Sequence, residues 1–189
     1  MIDRSIEGDG GPAGAFSAIE RAIEDHPGDP RFIARLIRCI KMQIETLSKG
    51  DGDDTIEMLL KRVSRYRSDF SSQHYFTIIG KLLAKNRYQA AEMILSLAWK
   101  QFPAAPEVLP ARAMLAHRQE RFDEAEALWR KLETSAPDRW RVAVTHRARI
   151  FARQGRQKEA AKLFEALLDR HPDFGEAAKF LVRHYLEID

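Results

Sequence analysis

The sequence contains one cysteine, Cys39, and no long hydrophobic run. A single cysteine cannot form an intramolecular disulfide, and Cys39 falls on an apolar helical face with Leu36 and Ile40. No stretch approaches the roughly 18 consecutive apolar residues that a membrane-spanning helix needs. The first residues lack the basic and then apolar arrangement of a secretion signal. We therefore expect a cytoplasmic protein without a membrane span.

Residue patterns that would form a metal site or a catalytic centre are also scarce. The six histidines include no pair spaced i, i+4, and no cysteine joins them as a second ligand type. Residues 51–54 (Asp-Gly-Asp-Asp) suggest a calcium loop, but they lack its alternating carboxylates and the glutamate at its twelfth position. We interpret them as a turn that caps a helix. No nucleophile, base and orienting group come together, so we predict a protein that is not an enzyme and needs no cofactor or metal.

Three short segments of the chain repeat each other, at residues 87–91, 121–125 and 156–160. Each begins with arginine, ends with alanine and is followed twelve residues later by a proline, at Pro103, Pro137 and Pro172. The alanines and the prolines both step by 34 and then 35 residues. Two markers that keep one period indicate a helical solenoid.

The residues at these positions explain the period. A small alanine allows two helices to approach closely, and the residue four positions later lies on the same helix face. That residue is large in all three repeats, so we expect Leu95, Trp129 and Phe164 to be buried beside Ala91, Ala125 and Ala160. The proline then ends the hairpin, because it cannot donate a helical hydrogen bond and disfavours helical geometry in the preceding residue.

On these residues the chain resembles the tetratricopeptide repeat family. In its best-matched unit the first helix carries Phe76, Ile79, Gly80 and Leu83, and the second carries Tyr88, Ala91, Leu95 and Ala98 before Pro103. The resemblance is strongest over residues 72–172. Arg112 and Arg147 stand where the family usually has leucine, and we expect their stems to cover apolar surface while their charged heads stay in water.

The predicted fold class is all-α, a right-handed α-solenoid of about ten helices in antiparallel hairpins. Helical periodicity predicts helices near 13–26, 30–48, 54–67, 72–85, 88–101, 106–119, 122–135, 139–154, 157–170 and 174–187. We divide the chain into a flexible N-terminus (1–11), degenerate helical repeats (12–71), three tetratricopeptide-like repeats (72–172) and a C-terminal capping helix (173–189). Residues 12–27 resemble an isolated second helix, so this end either docks on the protein's own surface or pairs with a second copy.

Charge is distributed unevenly along the chain. Residues 71–189 carry 20 Lys and Arg against 15 Asp and Glu, whereas residues 1–70 carry 11 against 13. The resemblance implies that the first helix of each hairpin lines a concave groove. The side chains that we expect to be exposed there are His74, Thr77, Lys81, Lys85, Met114, His117, Arg118, Thr145, Arg149, Arg153, Lys179 and Arg183. A groove lined with positive charge attracts a ligand of negative charge.

We therefore predict a non-catalytic scaffold or adaptor that binds an acidic protein or peptide segment in this groove. One alternative is an accessory region of a larger bacterial enzyme, such as a glycosyltransferase or a sulfotransferase, because such repeats often accompany these catalytic domains. The other is a solenoid that binds nucleic acid through its basic half. Against the latter, most of the aromatic residues of the repeats fall on core-facing positions rather than between the basic ones: Tyr88, Trp129, Phe151 and Phe164. Trp140, between Arg139 and Arg141, is the exception.

Overall fold

The computed structural model describes residues 11–47 and 53–186, and these residues form ten α-helices and no strand. The helices are α1 (Gly11–Asp25), α2 (Pro30–Thr46), α3 (Asp53–Arg65), α4 (Ser72–Ala84), α5 (Tyr88–Gln101), α6 (Val108–Arg118), α7 (Phe122–Ser135), α8 (Trp140–Arg153), α9 (Gln157–Arg170) and α10 (Gly175–Leu186). Two short 3₁₀ turns occupy Arg67–Asp69 and Pro137–Arg139.

The predicted all-α fold class of antiparallel helix hairpins is confirmed, and every helix boundary lies within two residues of its predicted position. Pro110 lies in the first turn of α6, where a missing N–H removes no helical hydrogen bond. The flexible segment expected at 1–11 and the turn expected at 51–54 fall largely outside the described residues.

The chain divides into two compact units, Met1–Ala105 (unit 1) and Pro106–Asp189 (unit 2). In unit 1, α1 packs on α2, α2 on α4, α3 on α5 and α4 on α5. In unit 2, each helix from α6 to α10 packs on the next one along the chain. The division at residues 72 and 173 stays an interpretation of the repeat pattern.

The turn that joins the two helices of a hairpin has the same geometry in all three repeats. The residue before each repeated arginine has a positive φ: 58° at Asn86, 61° at Glu120 and 74° at Gly155. The next amide then donates back over five residues at 2.9 Å, as in the bond from Arg121 N to Ala116 O. This closure satisfies a carbonyl that the end of the helix leaves unpaired. The turn therefore fixes where each second helix begins.

The expected packing at the repeated alanines is confirmed. Ala91, Ala125 and Ala160 have no exposed surface, and Leu95, Trp129 and Phe164 are buried beside them. In unit 2, Ala125 and Trp129 of α7 join alanines of α6 and α8 in one core cluster. Small side chains on three successive helices therefore let the backbones approach, and the indole fills the remaining space.

The expectation that the head of Arg147 stays in water is wrong. Its side chain is 12% exposed, and its guanidinium donates to two carboxylates of α7, Glu126 Oε1 at 3.0 Å and Glu133 Oε2 at 2.5 Å. The arginine stem does replace leucine in the packing of α8 on α7. Its head is nevertheless neutralised inside the interface, because α7 supplies two glutamates on the facing side.

The N-terminal helix, α1, packs against other helices of unit 1. Phe16 and Ile19 of α1 are buried, and the guanidinium of Arg62 in α3 lies 4.1 Å above the centre of the Phe16 ring. Arg62 also donates to Glu20 at 3.1 Å. Docking on the protein's own surface thus accounts for this helix, and pairing with a second copy stays a prediction.

Replacing Ala125 with leucine should lower the free energy of unfolding by about 1–3 kcal/mol, because the added atoms have no space at the crossing of α6, α7 and α8. The matched control is Ala127→Leu, two residues away on the exposed side of the same helix, which should change it by less than about 0.5 kcal/mol. Urea denaturation measures both. Equal effects would show that Ala125 is not a packing constraint.

Candidate functional site: a basic pocket in unit 2

A pocket of about 440 Å³ opens in unit 2 among the first helices of successive hairpins. Three arginines, two histidines and one glutamate supply its polar wall, and Met114, Ala152, Phe164 and Phe180 supply its apolar wall. The polar residues are His117, Arg118, His146, Arg149, Arg153 and Glu176. With neutral histidines the pocket therefore carries an excess of positive charge.

Helical periodicity explains why these side chains point the same way. On α6, Met114, His117 and Arg118 follow the i, i+3, i+4 pattern of one helix face. On α8, His146, Arg149 and Arg153 follow i, i+3, i+7 in the same manner. On α10, Glu176 and Phe180 are four residues apart. Each helix thus turns one face toward the pocket while its other face packs in the core.

Arg149 is held by a carboxylate from the next hairpin. Its Nε and Nη2 donate to Glu176 Oε1 and Oε2, each at 2.6 Å, in a two-point pair that links α8 to α10. The hydrogen bond from Arg149 lowers the pKa of the Glu176 carboxyl, and the same bond raises the pKa of Arg149. Both groups are therefore charged at neutral pH.

The other two pocket arginines are less firmly held. Arg153 Nη1 donates to His117 Nε2 at 3.3 Å, and its Nη2 lies 3.5 Å from Glu120 Oε1. Arg118 ends α6 with its side chain exposed. Among the residues that the structure describes, no carboxylate lies within ion-pair distance of Arg118. These two guanidiniums are accessible to an anion from solvent.

His146 lies at the bottom of the polar wall. Its ring stacks on the buried indole of Trp129, with ring centres 4.3 Å apart and planes within 5°. Burial, together with the charge of the neighbouring Arg149, lowers its pKa from 6.5 to about 4. Burial also lowers the pKa of His117, with the charges of Arg153, Arg118 and Arg149 acting in the same direction. Both imidazoles are therefore neutral at pH 7 and can accept or donate a hydrogen bond.

The structure brings together five of the residues expected in the groove, Met114, His117, Arg118, Arg149 and Arg153. The expected exposure of Thr145 is wrong: it is 6% exposed, and its hydroxyl donates to Arg141 O at 2.7 Å. On α8 the pocket-facing residue at this level is His146, one residue after the predicted Thr145. Lys179 and Arg183 of α10 are exposed but do not line the pocket.

The predicted site residues of unit 1 make internal contacts. Lys81 forms an ion pair with Glu45, and Lys85 Nζ donates to Glu45 O and Leu47 O at the end of α2. His74 accepts from Ser71 N at 3.2 Å in the cap of α4, and burial lowers its pKa. Thr77 donates to Gln73 O at 2.7 Å. A partner-binding role for these four residues stays a prediction.

Three further residues line the pocket that the sequence pattern did not indicate there: His146, Glu176 and Phe180. Glu176 and Phe180 belong to α10, which the repeat pattern indicated only as a cap. Glu176 and Phe180 are four residues apart on a helix that occupies the place of the first helix of a hairpin. This spacing is the signal that could have placed them on the same side as Arg149. Phe164 was expected in the core, and it is buried there. It also forms part of the apolar wall of the pocket.

The described residues contain neither a metal-binding cluster nor a membrane-spanning helix. Within residues 11–47 and 53–186, no three His, Cys, Asp or Glu side chains are placed to hold a metal ion. In the same ranges, no helix has both the length and the apolar character to cross a membrane.

Comparison with known proteins supports the repeat assignment. A family model described as tetratricopeptide repeat matches residues 141–184, which include α8, α9 and most of α10. Among curated proteins, no sequence matches the chain. The resemblance to tetratricopeptide repeats that the sequence indicated is confirmed by this match together with the solved structures below.

Several solved structures share the fold at low sequence identity. MamA 41-end from Desulfovibrio magneticus RS-1 is 17% identical with a TM-score of 0.58, over 91% of this chain and 93% of that chain. A tetratricopeptide repeat protein from Parabacteroides merdae is 16% identical with a TM-score of 0.62, over 99% and 72%. The human IFIT1 dimer with m7Gppp-AAAA is 18% identical with a TM-score of 0.55, over 96% of this chain and 44% of that chain. At these identities the likeness concerns the fold alone.

The half-buried His146 should make unit 2 less stable in acid. The unfolded chain protonates His146 near pH 6.5, whereas the folded chain resists until about pH 4, so the free energy of unfolding falls as the pH drops through this window. Between pH 7 and pH 5 we expect a loss of about 1–2 kcal/mol from this group. His146→Phe, which keeps a flat ring against Trp129, should lose less stability over the same range.

Urea denaturation at several pH values measures the difference between the two proteins, which removes the contribution of all other titrating groups. An identical pH dependence for His146→Phe and the original chain would contradict the expectation.

Proposed function

We propose that this tetratricopeptide repeat chain is a non-catalytic interaction scaffold that holds an acidic segment of a protein partner in the basic pocket of unit 2. The observation that carries the proposal is the convergence of Arg118, Arg149 and Arg153 on one concave pocket whose lining contains one carboxylate, Glu176. A second carboxylate, Glu120, lies 3.5 Å from Arg153 outside that lining. Guanidinium groups bind carboxylates through strong charge-assisted hydrogen bonds. An excess of positive charge in a concavity also raises the local concentration of an acidic ligand.

The apolar wall of the pocket favours a peptide over a small inorganic anion. Met114 is partly exposed, and Phe180 packs against Phe164 with ring centres 4.6 Å apart. A peptide can cover this surface with its side chains while its carboxylates reach the arginines. Trp129 and Phe151 are buried in the core, so neither supplies the exposed stacking rings among basic side chains through which nucleic acid binds. Trp140 is the exception, since the guanidinium of Arg170 lies 4.1 Å from the centre of its ring, but Trp140 does not line the pocket.

The test uses a short fluorescent glutamate-rich peptide and the full chain. Changing Arg118 and Arg153 together to glutamine should weaken binding by about tenfold or more, because two accessible charge-assisted contacts are lost. Arg149 is left intact, since its removal would also break the link between α8 and α10. Fluorescence anisotropy measures the affinity, and thermal melting monitored by circular dichroism shows that the fold is retained.

The matched control is the double variant Lys131→Gln and Lys162→Gln, which removes the same charge from exposed positions on α7 and α9. It should weaken binding far less, and binding to the original chain should fall steeply as salt is added. Equal losses in both double variants would indicate unspecific charge attraction. Unchanged binding in the arginine variant would place the partner site elsewhere, and stronger pocket-dependent binding of an RNA oligonucleotide would favour nucleic acid.

A further inference from the structure

The two arginine–glutamate arrangements on α8 differ in their access to solvent. Arg147 is enclosed at 12% exposure between Glu126 and Glu133, so its carboxylates cannot be exchanged without opening the interface. Arg149 and Glu176 have side chains that are 44% and 38% exposed, and both line the pocket. The second pair can therefore exchange with a carboxylate that enters the pocket, whereas the first cannot.

The geometry of the open pair is that of a bound carboxylate ligand. Glu176 presents both of its oxygens to the Nε and Nη2 edge of Arg149, each at 2.6 Å. This is the two-point arrangement by which arginine recognises a carboxylate from any source. Glu176 is the second residue of α10, so it reaches the pocket from the very start of its helix.

We propose that Glu176 is an internal substitute for the partner's carboxylate, so that the Arg149 edge is the carboxylate subsite of the pocket and a partner binds by replacing Glu176. This inference rests on the proposed function. An exposed ion pair contributes little net stability, so one carboxylate can replace another there without a large penalty. Arg118 and Arg153 attract the incoming segment first, because neither is held in a two-point pair: Arg153 has one contact of 3.5 Å with Glu120, and Arg118 is exposed.

The replacement also changes the charge balance of the pocket. While Glu176 is bound, it neutralises one of the three arginines. A partner carboxylate that takes its place must therefore compete with a resident group at very high local concentration. Glu176 thus sets a threshold: segments with a single weakly placed carboxylate are excluded, and segments that also engage Arg118 and Arg153 are accepted.

Two variants of Glu176 separate competition from charge. Glu176→Gln removes the competitor and its charge, and it should tighten binding of the glutamate-rich peptide by about threefold or more. Glu176→Asp keeps the charge but shortens the side chain, which weakens the two-point contact. It should also tighten binding, by about twofold, because a weaker competitor is easier to replace.

The matched control is Glu159→Gln. Glu159 of α9 forms a similar two-point pair with Arg156, the residue before that helix, at 2.6 and 2.5 Å, and it does not line the pocket. This variant removes the same charge and the same kind of contact from unit 2. It should leave peptide affinity nearly unchanged.

The side-chain Nε–H signal of Arg149 in an NMR spectrum gives a second readout. It should shift when the peptide is added and should shift in Glu176→Gln without peptide, whereas the Arg156 signal should stay in place. A purely structural role for Glu176 would leave the Arg149 signal unmoved by peptide.

Each outcome bears on one of the two proposals. Tighter binding in both Glu176 variants supports replacement, and it does so even where the original chain binds too weakly to measure. Tighter binding in Glu176→Gln alone means that only the net charge of the pocket matters, and this outcome overturns replacement. Weaker or unchanged binding in both variants overturns replacement too. In either case the proposed function stands if peptide binding still requires Arg118 and Arg153. Absence of binding to every protein, including Glu176→Gln, overturns both.

Discussion

Close approach of helices at the repeated alanines is the constraint on which unit 2 depends. Ala113 and Ala116 of α6, Ala125 of α7 and Ala143 of α8 share one buried cluster. Because no larger side chain holds the helices apart, the indole of Trp129 can fill the space between them and present its face to His146. The position of the imidazole in the pocket, and its suppressed charge, thus follow from small residues in the core.

Helix α8 carries a buried arginine on one side and partly exposed arginines on the other. On one side Arg147 is enclosed by glutamates of α7, where loss of one partner would leave a buried charge. On the other side Arg149 and Arg153 face the pocket and remain partly open to water. The same residue type is structural in one case and available for recognition in the other, and the difference lies in which neighbouring helix supplies the carboxylate.

The local elements of this protein could be predicted because each has a local cause. Proline ends the hairpins, and alanine and a large residue mark the crossings. The positive φ of the turn falls each time on the residue before the repeated arginine. The pocket was predicted in part, since Arg149 and Arg153 share a helix face by periodicity alone. Thr145 was misplaced because a shift of one residue rotates a helix position by about 100°. Glu176 could not be assigned to Arg149, since that contact depends on how α10 docks.

Each helix of unit 2 contacts mainly its neighbours in sequence, and α10 packs chiefly on α9. Glu176 and Phe180 therefore reach the pocket through the packing of one helix, whereas the facing wall is supplied by α6 and α8, which both pack on α7. A change in the tilt of α10 would move one wall of the pocket and leave the facing wall in place.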